Sequence, residues 1–325
     1  MHKNTKYSKE SEFKMKKRYI MLIITILSII SLLLGINNFT DAQQVNQILL
    51  MSRIPRLISI IIVGVGISIC GLIMQQVTQN KFVSPTTGAT MDSAQLGLMV
   101  STVMLPYATI MQKLSISFIF SILGTFLFIN ILKGIRFKNS VIVPLIGIMV
   151  GNVISSITTF IAYKENLTQN LTSFTQGEFS MMTTGRYEIL YIIIPLIIIA
   201  YIYSDKFSII GLGEEMSSNL GIEYKNVVNI GLLIVAIVTA SIIVTVGSVS
   251  FVGLIVPNIV SMYYGDNVKH NTKYVASLGV IIMLVCDIIS RVVIYPYEVP
   301  IGLTIGVFGV GMFMVMLLRR NKIDV

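Results

Sequence analysis

The chain is 325 residues long, 54% hydrophobic and only 12% charged, with a mean hydropathy of +0.82. Soluble domains carry about 25% charged residues because their surfaces face water. This composition therefore excludes an ordinary water-soluble enzyme and makes lipid the solvent for most of the outer surface. The 24 Lys and Arg outnumber the 15 Asp and Glu, yet they fall between apolar runs, a pattern that orients a membrane protein and not one that binds nucleic acid.

Residues 1–18 form a basic segment, with Lys3, Lys6, Lys9, Lys14, Lys16, Lys17 and Arg18 against Glu10 and Glu12. Such a segment is expected to stay in the cytoplasm. Tyr19 to Ile36 has the apolar character of a signal peptide, but no small-x-small cleavage site follows it, and it reads as a retained first span. Crossing about 30 Å of hydrocarbon takes about 20 mostly apolar residues. On that measure an all-α membrane domain over residues 19–320 is expected, with about ten transmembrane helices at 19–37, 54–77, 86–106, 114–133, 140–162, 187–204, 227–246, 252–264, 274–290 and 300–318. The eighth is short and should continue a broken, glycine-rich stretch, GSVSFVGLIVP. With the N-terminus inside, the cytoplasmic loops hold Lys81, then Lys133, Arg136 and Lys138, then Lys206 and Lys225, then Lys269 and Lys273. An even number of spans puts the tail at 321–325, with its basic RRNK approach, on the same side.

Arg53 and Arg56, in RIPR, precede the second span on the opposite side, and Arg291, in DIISR, falls at the outer end of the ninth. Their guanidiniums either snorkel at helix ends or form a positive outer surface that receives an acidic partner. Asp287 lies four residues before Arg291, the spacing of an intrahelical ion pair. Cys70 and Cys286 sit inside apolar runs and read as small core residues, and two histidines, His2 and His270, are too few for a His-rich metal or haem site. Small residues recur in the spans, as in GVGISICG at 64–71 and GIMVG at 147–151, which lets helix backbones approach closely. Ser68, Asn152 and Thr304 interrupt apolar runs; they serve either interhelical hydrogen bonds or a translocation pathway.

The loop at 205–226 is not a simple connector. Its sequence predicts short helices broken at glycine, one beginning at Glu214, Glu215 and Met216 and closed by Leu220 and Gly221. Ile209, Ile210, Leu212, Met216, Leu220 and Ile222 are too many apolar residues for a solvated loop and too few for a span. They are expected to be covered, either by the underside of the bundle or by a cytoplasmic protein.

At this point the motifs resemble the FecCD-type permeases, which import iron–siderophore complexes, haem and cobalamin with ATP-binding cassette partners. The resemblance runs from Arg53 onward through RIPR, VGVGISICGLIMQQVTQNKFVSPTTGAT, GLGEEMSSNLGI, GSVSFVGLIVPNIV, CDIISR and YEVPIGLTIGVFG, in the family's order. Asn258 and Ser261 stand where the family usually has His and Arg, and Gly309 to Phe313 lacks its proline. These departures resemble the branch serving petrobactin-type and other catecholate siderophores. The resemblance implies the type II ABC importer (BtuC-like) fold and a homodimer or a heterodimer with a sister permease. It implies docking of an extracytoplasmic, siderophore-binding protein on Arg53, Arg56 and Arg291. It also implies that Gly211, Gly213, Glu214, Glu215, Leu220 and Gly221 couple to a cytoplasmic ABC ATPase dimer.

The chain carries no G-x-x-x-x-G-K-[ST] loop, so ATP would be used by the partner subunit, and this chain is expected to bind no cofactor and to perform no catalysis. Within the same family the cargo alternatives are cobalamin and haem. An ion-coupled secondary transporter would place ionisable residues inside the membrane, for which Asp92 and Asp287 are the available groups. A non-transporting scaffold would leave the loop at 205–226 unexplained.

Overall fold

The computed structural model describes residues 17–34, 47–134, 141–295 and 297–320. The tails at 1–16 and 321–325, the end of the first expected span and the loop residues Arg136 and Lys138 lie outside them. All regular structure among the described residues is helical. In a solvent without hydrogen-bonding partners a helix satisfies every backbone group within its own segment, so long apolar β-branched runs become helices here despite their modest propensity in water.

Each apolar segment expected from sequence carries a helix: α1 Lys17–Leu33, α2 Ile54–Val77, α3 Thr90–Met104, α4 Ile110–Lys133, α5 Ile142–Lys164, α7 Ile193–Ile202, α10 Tyr224–Thr245, α11 Val252–Tyr264, α12 Val268–Val292 and α13 Ile301–Arg320. A π turn at Leu49–Arg53 leads into α2 and a 3-10 turn at Tyr187–Ile192 into α7. Three short helices complete the set: α6 Thr168–Thr175, α8 Ser204–Ile210 and α9 Glu214–Asn219.

The expectation of about ten full spans is not met on length and composition. Among the described residues, five helices are long and apolar enough to cross a membrane, namely Leu49–Val77, Ile110–Lys133, Ile142–Lys164, Tyr224–Thr245 and Val268–Val292. Tyr187–Ile202 with Ser204–Ile210, bent by 62°, makes a sixth. Two others fall short for local reasons. Helix α3 begins later than expected, after Ala89 (φ 58°), and the short α11 begins where expected, after Phe251 (φ 65°), each preceded by a non-glycine residue in the left-handed region. At 13 residues, α11 rises only about 20 Å, as the broken GSVSFVGLIVP stretch foreshadows.

The core lies along α2 and α10, each with 78% of its most apolar stretch buried; for α5 the figure is 22%. Helix α2 packs on α10, α11 and α12, while α3 packs between α4 and α5. Close approach substitutes for the hydrophobic drive that lipid removes. A Cβ on Gly71 of α2 would stand 1.7 Å from the Gly253 carbonyl of α11, and one on Gly279 of α12 would stand 2.5 Å from the Gly64 carbonyl. These contacts fix α2 as the axis of the bundle. Its 24 residues span about 36 Å, and the two candidate regions sit at its opposite ends.

Candidate functional site

At the N-terminal end of α2, four charged side chains form one buried network. Asp287 of α12 is completely buried. Its Oδ1 accepts from Arg56 Nε at 3.0 Å and Nη2 at 2.8 Å, and its Oδ2 accepts from Ser31 Oγ of α1 at 2.8 Å. Arg291, one turn further along α12, pairs with Oδ2 at 2.8 Å and donates from Nη1 to the Ser31 carbonyl at 2.9 Å. The second carboxylate of the network is Glu298, after α12, which accepts from Arg56 Nη1 at 2.5 Å. The four groups sum to zero charge: two guanidiniums against two carboxylates.

The intrahelical Asp287–Arg291 pair is the one suggested by the spacing in the sequence. Arg56, expected at the surface with Arg53, is instead buried across α2 and α12. Buried charges persist only when paired and hydrogen-bonded, because each loses its hydration, and this network satisfies that condition for Asp287 and both arginines. Arg53 is half-buried, three residues before Arg56 on the same continuous helical segment, and so lies on the same face.

At the other end of α2 the chain makes the glycine-broken turn anticipated between Ser204 and Tyr224. Gly211 closes α8, and a Cβ there would stand 2.1 Å from Gln76 Oε1, near the end of α2. Gly213 caps α9 at φ +106° and Gly221 follows it at φ +77°, conformations that residues with a Cβ rarely adopt. Ser217 fastens the turn by donating to the carbonyls of Ile209 at 2.9 Å and Gly213 at 2.5 Å. The apolar residues divide. Ile210 is buried under the bundle, whereas Leu212, Met216 and Leu220, spaced by four, are 60%, 57% and 60% exposed. Glu214 and Glu215 stand in the first turn of α9 and are exposed.

Ser68 and Thr304 are buried in helix contacts. Ser68 donates to the Gly64 carbonyl at 2.7 Å beside Gly279, and Thr304 reaches the Ile301 and Cys286 carbonyls at 2.8 and 3.3 Å. Asn152 is exposed on α5, and Ser156 is exposed one turn further along that helix. The substituted positions also find work: Asn258 donates to the Lys81 carbonyl at 2.7 Å, and Ser261 Oγ accepts from Lys81 Nζ at 3.3 Å. Sequence reasoning missed Glu298 and Ser31. YEVP offered a carboxylate, but nothing local tied it to an arginine 242 positions earlier.

The family model described as the FecCD transport family matches residues 19–319. The chain belongs to the FecCD transport family. It is 50% identical over 313 residues to the petrobactin import system permease protein YclN of Bacillus subtilis (strain 168), covering 94% of this chain and 99% of that protein. It is 39% identical to the ferric-anguibactin transport system permease protein FatD of Vibrio anguillarum, covering 84% of this chain and 87% of that protein. Among solved structures, a metal-chelate type ABC transporter in an inward-facing conformation superimposes with a TM-score of 0.79 at 19% identity, covering 92% of this chain and 97% of that one. In this FecCD chain, then, the fold is that of an importer permease, with a closed ionic network at one end of α2 and an open apolar stripe at the other.

Proposed function

We propose that the chain is the membrane permease subunit of an ATP-driven importer of ferric siderophore, of the catecholate, petrobactin-like class, in the cytoplasmic membrane. The observation that carries the cargo assignment is the 50% identity along 99% of the petrobactin permease YclN. Both termini face the cytoplasm, following the basic loops. Helices α1, α3, α11 and α13 complete ten membrane segments, of which α3 and α11 are too short to cross alone.

In this reading the Leu212, Met216 and Leu220 stripe seats in the cytoplasmic ATPase dimer, and Gly211 to Gly221 transmits its closure. Three large apolar side chains more than half exposed in water call for a protein partner. ATP is hydrolysed in that partner. The extracytoplasmic binding protein docks at the arginine end, with Arg53 making the first contact and Arg56 and Arg291 behind it. A second permease, identical or a sister chain, packs on the outward faces of α11 and α13, where Ile259, Met262, Val307 and Phe308 line an apolar groove of about 550 Å³. Asn152 and Ser156 give α5 a polar face for the pathway between the two permeases.

The test is uptake of radiolabelled ferric petrobactin, ferric hydroxamate, haem and cobalamin by cells lacking the gene, with and without the wild-type copy. Loss of catecholate uptake alone, restored by the gene, is expected. Loss of cobalamin or haem uptake instead moves the cargo to those classes, and uptake that survives removal of the ATPase subunit makes the chain an ion-coupled transporter.

A further inference from the structure

The two carboxylates in the ionic network are held unequally. Asp287 is wholly buried and contacts Ser31, Arg56 and Arg291, on three different helices. Glu298 is 34% exposed in its side chain and touches the network through Arg56 Nη1 alone. It belongs to no helix. The next residue, Val299, donates to the Ser290 carbonyl at 3.0 Å, and Ile301 then begins α13. One residue further on, Gly302 N donates to the Gly177 carbonyl at 2.9 Å. That stretch is tied in turn to the end of α10 by Glu178 N to the Val246 carbonyl at 2.8 Å and Ser248 N to the Phe174 carbonyl at 3.1 Å. Glu298 therefore stands at the head of a backbone chain that joins α12, α13, the 174–178 segment and α10.

From this asymmetry we infer that Glu298 is a built-in competitor for the acidic docking partner. In the free permease it occupies the outward guanidinium edge of Arg56. A partner carboxylate gripped by Arg53, on the same helix face, brings a like charge against Glu298 and displaces it from Arg56. Asp287 stays, because all its contacts are buried. Release of Glu298 loosens the segment entering α13, so docking is communicated to the outer end of the bundle through Val299, Gly302 and Gly177. The inference rests on the docking role assigned above to the arginine end, and adds to it a residue that opposes docking.

The experiment measures the affinity of the purified extracytoplasmic binding protein for the full permease–ATPase complex in nanodiscs. Glu298→Gln keeps the shape and removes the charge. It is expected to tighten docking about tenfold, the equivalent of one charge contact of about 1.4 kcal/mol. The same substitution in an Arg56→Gln background is expected to give no gain. Equal or weaker affinity for Glu298→Gln, in complexes whose thermal midpoint and ATPase content match the wild type, overturns the inference, as does a gain that persists without Arg56. Glu298→Ala, read in the same way, covers the case in which the glutamine variant assembles poorly. Arg53→Glu separates the two levels. If it abolishes docking while Glu298→Gln changes nothing, the docking surface stands and the competitor falls. If it leaves docking intact, the docking surface itself is wrong and the competitor falls with it.

Discussion

The two ends of α2 solve opposite problems with opposite chemistry. At the Arg56 end, charges that would be costly in a low-dielectric interior are drawn inside and neutralised by one another, so that Asp287 is completely buried while holding two guanidiniums. At the far end, Leu212, Met216 and Leu220 are left facing water. The first region is complete within the chain; the second is incomplete until something covers it. Buried polarity makes the Arg56 end a structural joint beneath the docking surface proposed above, and exposed apolarity at the other end is what the proposed ATPase contact would cover.

The sharpest way to break this comparison is Asp287→Ala. It leaves Arg56 and Arg291 buried with Glu298 as their remaining carboxylate, and removing one member of a buried ion pair costs about 3–5 kcal/mol. Folded permease recovered from membranes, followed by fluorescence-detected size exclusion, should fall steeply; wild-type recovery would mean the joint is not structural. Met216→Asp is expected to leave the thermal midpoint unchanged, since the side chain is mostly outside the fold. It should weaken ATPase co-purification at least tenfold, because burying a methionine side chain is worth about 1.5–3 kcal/mol. Unfolding instead of loss of the partner would move the loop into the core.

Gly221→Pro sharpens the same end. Proline fixes φ near −65° where the chain needs +77°, so substrate transport should drop while ATP hydrolysis continues, a separation read from both rates in proteoliposomes. The smallest effect belongs to Lys269→Ala. Its partner Asp205 is 2.6 Å away, but both side chains are more than half exposed. Such pairs contribute little, and the thermal midpoint should not move. A clear drop there would show that the charges at the loop end also build the joint between α8 and α12.

Much of this was legible in the chain itself because it is local. The ten helical segments follow from apolar run length, the turn at 211–221 from its glycines, and the Asp287–Arg291 pair from a spacing of four. The exposure of Leu212 and the burial of Ile210 were not legible, although the two residues are near neighbours. Both are apolar, and which one faces the bundle depends on how far α8 bends away from α7. Full span length was misjudged for α3, because hydropathy counts apolar residues without registering that Ala89 turns the backbone, whereas the short α11 at 252–264 was legible from its broken, glycine-rich approach.

The sequence by itself determined the membrane class and the positions of the apolar helices, since these rest on composition and run length, and its ordered motifs carried the resemblance to the family. Only the tertiary structure decided that Arg56 meets Asp287 and Glu298, partners 231 and 242 residues away. A guanidinium reads identically in sequence whether it snorkels, docks a partner or closes an internal network. Which of these it does is set by the approach of α2 to α12, and that approach is fixed by Gly64 and Gly279, where two missing side chains bring the backbones together.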